Sequence, residues 1–245
     1  MIEEKKSLLS EDGIRLDGRK VDELRPISIE VGVLKRANGS AEIKWGNNKI
    51  IVAVYGPREL HPKHLAQPDR AIIRCEYRLA SFSVDERKSP APKRREIELS
   101  KIISEALEPA LFLESYPKAS IDVYVQVLNA DGGTRCAAIV AAAVALADAG
   151  IPMRSLISAV AVGKANGHII LDLSDIEDKE GEGDIPVAII QNTQDISLFQ
   201  VDGIFTAEEI KKALELAINA SQKIFEIQKE ALTHKFRKFE IETEE

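Results

Sequence analysis

The sequence predicts an α/β protein of two related halves, in which mixed sheets pack against helices. Three observations support this class: β-rich runs occupy the first third of the chain, strands and helices alternate through the middle, and further strands precede a long terminal helix. We expect the 245 residues to form a single domain whose two halves meet near residues 150–157.

The first half begins with an antiparallel meander, because runs of β-branched and apolar residues are separated by short turns at Asn38-Gly39 and at residues 46–48. A proline-rich basic loop, residues 87–93, precedes a helix that starts at Arg94, where apolar side chains recur near the helical period. The predicted strands of this half are residues 27–34, 41–45, 49–55, 70–77 and 119–128.

The second half starts with an alanine-rich helix over residues 134–149, which Gly150 and Pro152 end. The strands predicted after it are residues 158–164, 168–173, 185–191 and 195–201, the first two forming a hairpin. Thr206 caps a long amphipathic helix that is expected to run to about residue 232. We expect residues 236–245 to be a frayed tail.

The composition indicates a globular, cytoplasmic protein without a membrane span. The longest apolar stretch, residues 136–149, contains Asp148 and falls short of the roughly 20 residues that a bilayer requires. The first ten residues mix acidic and basic side chains and lack a secretory pattern. Cys75 and Cys136 have no metal-ligand spacing, so we expect free, buried thiols.

The charge distribution leaves room for a nucleic-acid partner despite a net charge of −7. Residues 58–95 contain ten Lys or Arg and only five acids, so this segment is basic within an acidic chain. Binding to nucleic-acid phosphates needs such cations. Considered alone, the segment is more simply explained as a solvated face, and a second signal is needed.

The turn of residues 131–135, Asp-Gly-Gly-Thr-Arg, is a candidate phosphate site. It joins a strand to a helix N-terminus, where free N–H groups and the helix dipole favour an anion. Gly133 allows close approach, Thr134 adds a hydroxyl, and Arg135 adds a planar charged fork. The alternative is a tight turn with a helix cap and a surface arginine.

An acid-rich loop, residues 172–184, is the second candidate, with seven carboxylates between two strands. Clustered carboxylates can hold a hard cation such as Mg²⁺ or supply a general acid. Most acid-rich loops are merely solvated. Asp184 stands out because it abuts the apolar strand 185–190, an environment that could raise its pKa.

Cations at a helix start are the third signal. Lys93, Arg94 and Arg95 lie where the helix dipole disfavours them, and an RNA phosphate would give them a role. In the alternative interpretation Glu96 and Glu98 pair with neighbouring cations. Lys63 and His64 form a weaker candidate.

Several long motifs together resemble the ribonuclease PH family, and within it the catalytic subunits of archaeal exosomes. They include RLDGRKVDELRPI from Arg15, HPKHL, APKRREIELSK, DGGTR, ADAGIPMR and the run EGEGDIPVA. The similarity extends over nearly the whole chain, with Thr134 where archaeal relatives often have serine.

The resemblance implies an α/β fold of two related halves and a phosphate-dependent 3′-to-5′ exoribonuclease. Inorganic phosphate would be the co-substrate, single-stranded RNA would be shortened to nucleoside diphosphates, and the reverse reaction would add RNA tails. By motif, Gly133, Thr134 and Arg135 would bind phosphate. Asp178 and Asp184 would be the catalytic acids and would anchor Mg²⁺. Arg94 and Arg95 would hold the RNA backbone, and Lys63 with His64 would contact RNA at the entrance.

The implied assembly is a six-membered ring with an inactive homologous partner and RNA-binding cap proteins. Two alternatives remain open: a homohexameric ribonuclease PH that trims tRNA 3′ ends, and a non-catalytic RNA-binding ring subunit. Hydrolytic cleavage is a third possibility, which would release nucleoside monophosphates.

Overall fold

The computed structural model describes residues 8–10 and 13–243, with side chains up to residue 237. This part of the chain contains ten strands and four α-helices, which confirms the α/β class. Among these residues no helix is both long and apolar enough to cross a bilayer. The prediction about a secretory segment concerns mainly residues 1–7, which lie outside the described residues.

The first sheet is a meander extended by a parallel strand. Its five strands lie in the order β1-β2-β3-β5-β4, and only the β4–β5 pair is parallel. Alternate side chains of β2, β3 and β5 are fully buried because one face of this sheet packs on the core. Its strands are β1 (Ile27–Val31), β2 (Gly39–Trp45), β3 (Asn48–Glu59), β4 (Ile72–Leu79) and β5 (Ala119–Asn129).

The second sheet is antiparallel and is built from the later part of the chain. The order is β10-β8-β6-β7, and β9 also pairs with β8. Its strands are β6 (Ile157–Ala165), β7 (His168–Leu171), β8 (Gly183–Ile190), β9 (Asp195–Phe199) and β10 (Asp202–Gly203).

The alanine-rich helix α2 (Thr134–Asp148) lies between the sheets and contacts β2 and β3 on one side and β6 and β8 on the other. Small side chains let strands approach it closely: a Cβ at Gly39 would lie 2.2 Å from the Ala145 carbonyl oxygen. A helix apolar on all sides is stable only when buried, and residues 136–146 are all buried. Helix α1 (Arg94–Leu107) packs on β4.

The acid-rich loop prediction was partly wrong, since residues Asp175–Glu180 form a short helix, α3. Its start is a capping box in which the N–H and hydroxyl of Ser174 both donate to Glu177 Oε2 at 2.8 Å. Sequence inspection also overlooked β10, which pairs with the end of β8.

The last helix, α4 (Ala207–Thr243), continues through most of the segment that was expected to fray. An ion pair between Lys235 on α4 and Asp148 at the end of α2 holds this extension against the core. The first strand is shorter than predicted and ends at Val31. Both cysteines are free thiols as expected; Cys136 is buried, while Cys75 is partly exposed.

Candidate active site

A cleft of about 270 Å³ gathers most of the sequence-predicted site residues. Its walls come from both halves of the chain: the 131–135 turn and the start of α1 on one side, and α3 with the start of β8 on the other. The polar and charged side chains that line it include Tyr77, Arg95, Thr134, Arg135, Asp178 and Asp184.

The turn of residues 131–135, called the phosphate turn after its predicted role, connects β5 to α2. Its two glycines lie in the left-handed region, Gly132 at φ +66° and Gly133 at φ +67°. At Gly132 a side chain is also excluded by space, since a Cβ would lie 2.6 Å from the Ser174 carbonyl carbon. The first N–H groups of α2 have no helical acceptor. They therefore remain available to an anion at this end of the helix.

Thr134 and Arg135 are the first two residues of α2 and both line the cleft. The Tyr77 hydroxyl donates to Thr134 Oγ1 at 2.9 Å. The Arg135 guanidinium donates to Gln200 Oε1 from the second half. Arg135 is thus partly enclosed and held in the cleft, unlike the surface arginine of the alternative interpretation.

Asp178 on α3 and Asp184 on β8 line the same cleft. Asp178 is exposed to solvent at the cleft, but partial desolvation by the surrounding protein raises its pKa. Nearby Arg95 and Arg135 oppose that shift, and Asp175 and Asp202 add to it. Burial also raises the pKa of Asp184, and the charge of Asp178 raises it further. The two carboxylates interact with each other, and a raised pKa helps a carboxyl group hold a proton near neutral pH.

The opposite side of the acid-rich segment is buried and paired with arginines. Arg15 is fully buried and donates through Nε to Glu177 Oε1 at 2.7 Å. Arg25 donates through Nη2 to Asp172 Oδ1 at 2.7 Å, and Asp172 Oδ2 accepts the Trp45 indole N–H at 2.9 Å. These interactions attach the N-terminal segment to the second half of the chain.

Arg25 also supports the phosphate turn. Its guanidinium donates to the carbonyl oxygens of Asp131 and Gly132, and the Asn48 side-chain amide donates to the Gly132 oxygen at 2.7 Å. The turn carbonyls are therefore occupied by donors from the protein. One buried group of ion pairs thus supports both the phosphate turn and the helix that carries Asp178.

The basic start of α1 is exposed beside the cleft. Arg95 lines the cleft itself, and Arg94 lines an adjoining groove together with Asp202. Glu96 pairs with Lys88 and also accepts hydrogen bonds from the backbone N–H groups of Leu79 and Lys93. The alternative interpretation, in which Glu96 and Glu98 pair with neighbouring cations, therefore holds for Glu96. Within the described part of the chain Arg94 and Arg95 form no ion pair, which leaves both guanidinium groups available.

Lys63 and His64 lie far from this cleft within the chain. They belong to an exposed 3₁₀ turn, and Lys63 Nζ pairs with Glu59 Oε1 at 2.7 Å. Glu59 pairs with Ala119 at the start of β5, whereas the phosphate turn follows the end of β5. Eleven residues of strand place these ends roughly 35 Å apart. These residues do not join the others in one site on this chain.

Three residues at the cleft were not singled out from the sequence. Tyr77 resembled an ordinary core residue of a strand, and Gln200 and Asp202 lie in and beside the short β9–β10 connection. Asp202 is the cross-strand partner of Asp184. No local sequence signal distinguishes them, because each reaches the site through pairing with a distant segment.

The cleft suits Mg²⁺ only as a shared site. Among the described residues no three His, Cys, Asp or Glu side chains converge on one point, so a cage made only of protein ligands is absent there. Mg²⁺ usually binds one or two carboxylates together with water and substrate phosphates. Asp178 and Asp184, whose mutual repulsion contributes to the raised pKa of Asp184, fit that mode.

Curated relatives cover almost the whole chain. Exosome complex component Rrp41 of Pyrococcus abyssi is 59% identical over 97% of this chain and 95% of its own length. Its counterpart from Pyrococcus horikoshii is also 59% identical, over 97% of this chain and 96% of its own length.

Solved structures share the fold. Rice Rrp46 superposes with a TM-score of 0.79 at 27% identity and covers 89% of this chain and all of its own. A chain of the Archaeoglobus fulgidus exosome with RNA bound to the active site gives a TM-score of 0.75 at 24% identity, over 88% of this chain and 92% of its own.

Family models match both halves of the chain. Domain 1 of the 3′ exoribonuclease family matches residues 23–152, and domain 2 of the same family matches residues 155–220. The first match alone spans more than half of the chain. With the relatives above, this match identifies the chain as a member of the 3′ exoribonuclease family.

Proposed function

We propose that this chain is the catalytic subunit of an archaeal-type exosome ring, where it uses inorganic phosphate to shorten single-stranded RNA from the 3′ end. One observation carries the proposal: a helix N-terminus suited to phosphate and two carboxylates of raised pKa face one cleft. Arginines without ion-pair partners in the described residues border that cleft at its open side.

The phosphate turn would position the attacking phosphate. The N–H groups at the start of α2, the Thr134 hydroxyl and the Arg135 guanidinium all offer donors, and Gly133 leaves the backbone accessible. Arg135 would exchange its hydrogen bond with Gln200 for the anion or share it. Holding the nucleophile in place supplies much of the catalysis in phosphoryl transfer.

The reaction transfers the terminal nucleotide to phosphate. An oxygen of inorganic phosphate attacks the phosphorus of the last phosphodiester, and the bond from that phosphorus to the 3′ oxygen of the preceding nucleotide breaks. A nucleoside diphosphate leaves, and the shortened RNA keeps a 3′ hydroxyl. Asp184, whose pKa is raised by burial and by Asp178, supplies the proton to the departing oxygen.

Asp178 and Asp184 would hold Mg²⁺. When bound, it would neutralise charge on the phosphate oxygens. Asp184 would donate a proton in its protonated state, and the pair of acids would hold the cation in its ionised state. The neighbouring arginines Arg95 and Arg135 stabilise negative charge in either state.

RNA would approach across the start of α1, where Arg94 and Arg95 would hold backbone phosphates. Lys63 and His64, at the far end of β5, would contact RNA at the entrance of an assembled ring rather than at the cleft. The relatives are named as components of an exosome complex, which supports a multi-subunit assembly for this chain. We propose a cytoplasmic ring with a homologous inactive subunit and RNA-binding caps.

The test is to incubate the chain, alone and with its homologous ring partner, with single-stranded RNA in the presence and absence of phosphate. We expect nucleoside diphosphates, released only when phosphate is present. Monophosphates formed without phosphate would indicate hydrolysis. RNA binding without degradation, in both assemblies, would indicate a non-catalytic ring subunit. An active homohexamer that needs no partner would indicate the tRNA-trimming alternative.

A further inference from the structure

We propose that Tyr77 is a positioning residue for phosphate: its phenol donates to Thr134 Oγ1 and thereby directs the threonine proton towards the bound anion. The inference rests on the proposed function, since it concerns the same phosphate site. It adds a residue from the interior of β4, outside the motifs that suggested the site.

The geometry fixes Tyr77 firmly. Its side chain is fully buried, and its backbone N–H donates to Ser100 Oγ on α1 at 2.9 Å. The phenol lies in the wall of the cleft and reaches Thr134 Oγ1 at 2.9 Å. A buried ring held by a strand and a helix leaves the hydroxyl little freedom to point elsewhere.

The direction of this hydrogen bond determines what Thr134 can do. A threonine hydroxyl has one proton to donate and two lone pairs to accept. A phenol is the more acidic of the two hydroxyls, so Tyr77 is the better donor and Thr134 the acceptor. Within the described part of the chain Tyr77 is the only hydrogen-bond partner of the Thr134 hydroxyl. The threonine proton is then available to a phosphate oxygen at the start of α2.

Tyr77 also keeps its proton under working conditions. Burial raises the pKa of Tyr77 to about 12, although the bond to Thr134 and the charge of Arg95 act in the opposite direction. The phenol therefore remains a donor across the neutral range. A permanent donor to Thr134 Oγ1 leaves the threonine proton available to an anionic ligand.

The experiment compares Tyr77→Phe, Thr134→Val and the double variant in the assembled, active ring. Tyr77→Phe removes one oxygen atom and keeps the ring volume, so the thermal unfolding midpoint should change little. We expect the KM for phosphate to rise about 3- to 10-fold, the range expected when one hydrogen bond is removed, while kcat at saturating phosphate stays close to wild type. Tyr116→Phe, at the far end of the same domain, is the matched control.

Three results would overturn the inference. One is an unchanged KM for phosphate in Tyr77→Phe. Another concerns the double variant. If Tyr77 acts only through Thr134, adding Tyr77→Phe to Thr134→Val should leave the KM for phosphate nearly unchanged. A further rise in KM as large as the one that Tyr77→Phe causes in wild type would contradict the inference. The third is a lower unfolding midpoint with equal loss of kcat, which would indicate a packing role.

A separate binding measurement distinguishes this inference from the proposed function. Calorimetric titration of the ring with inorganic phosphate should give weaker binding for Tyr77→Phe. If wild type binds phosphate and degrades RNA but the variant binds equally well, only the inference about Tyr77 fails. If wild type neither binds phosphate nor depends on it, the proposed function fails and the inference falls with it.

Discussion

The two sides of the acid-rich segment differ sharply although their carboxylates lie within 13 residues of one another in the sequence, from Asp172 to Asp184. On the paired side Asp172 and Glu177 are buried against Arg15, Arg19 and Arg25. On the cleft side Asp178 and Asp184 form no ion pair within the described residues. Glu177 and Asp178 are consecutive residues of α3, so a single helix presents a carboxylate to each environment.

The pKa shifts show what the difference means. Burial acts to raise the pKa of Glu177, but hydrogen bonds from Arg15 and Ser174 outweigh it and the pKa is lowered. Asp178 is exposed, and partial desolvation in the cleft raises its pKa because the arginines lie too far away to form ion pairs with it. Arginine partners therefore separate the acids whose pKa is lowered by pairing from the acids whose pKa is raised at the cleft. Composition alone could not make that separation.

The largest expected effect is on stability, from the paired side. Glu177→Gln leaves the buried Arg15 guanidinium without its counter-charge. We expect the free energy of unfolding to fall by about 3–5 kcal/mol, as when one partner of a buried ion pair is removed. Glu180→Gln, an exposed change on the same helix, is the control and should stay within about 0.5 kcal/mol of wild type. Urea unfolding measures both.

The pH dependence of that destabilisation has a definite sign. Because its pKa is lowered in the folded state, Glu177 stabilises the protein above its usual pKa of 4.5, and this contribution disappears as pH falls through the lowered value. The difference between wild type and Glu177→Gln should therefore be constant from pH 7 down to about the usual pKa of 4.5 and should shrink as pH falls further. A difference that stays constant well below pH 4.5 would contradict the assignment to charge.

The neighbouring change on the cleft side should have the opposite profile. Asp178→Asn should lower phosphorolysis by about 10²-fold, the scale of acid–base groups. Since the pKa of Asp178 is raised in the folded state, its ionisation costs stability above the usual value of 3.8, so the variant should be as stable as wild type or more stable at pH 7. Single-turnover rates and urea unfolding test this prediction. A loss of stability as large as that of Glu177→Gln would contradict the proposed difference between the paired side and the cleft side.

The smallest effect concerns RNA. Arg94→Glu combined with Arg95→Glu should reduce the salt dependence of binding to single-stranded RNA, by a log–log slope of roughly 0.7 for each RNA phosphate that the protein no longer binds. Sequence preference should hardly change, because binding to the RNA backbone carries no base information. Fluorescence anisotropy over a salt series measures the slope, and superimposed wild-type and variant curves would remove these arginines from the RNA path.

Much of the fold could be predicted because apolar and polar residues alternate along strands that bury one face, and because glycines occur at the turns. The phosphate turn was recognisable for the same reason: Gly132 and Gly133 mark a strand-to-helix junction. Helix α3 was missed since six residues are too few to show a helical period. The length of α4 was underestimated because an ion pair with Asp148, distant in sequence, supports its end.

The arrangement of the site was less accessible to sequence reasoning. The hydrogen bond of Arg15 with Glu177 joins residues 162 positions apart, and that of Tyr77 with Thr134 joins residues 57 positions apart. Neither partner shows such pairing in its local pattern. Asp184 was recognised from its place beside a buried strand, but its neighbour Asp202 enters only through the pairing of β8 with β10.

The most direct test of the central claim is the rate of Asp184→Asn in both directions of the reaction, with the variant folded, assembled and able to bind RNA. The substitution keeps the size of the side chain and removes the carboxyl group that faces the cleft. We predict that phosphorolysis and the reverse addition of nucleotides both fall by about 10²-fold or more, because the two directions share one transition state. Near wild-type rates in either direction would contradict the claim that Asp184 donates the proton and would leave Asp178 as the remaining candidate.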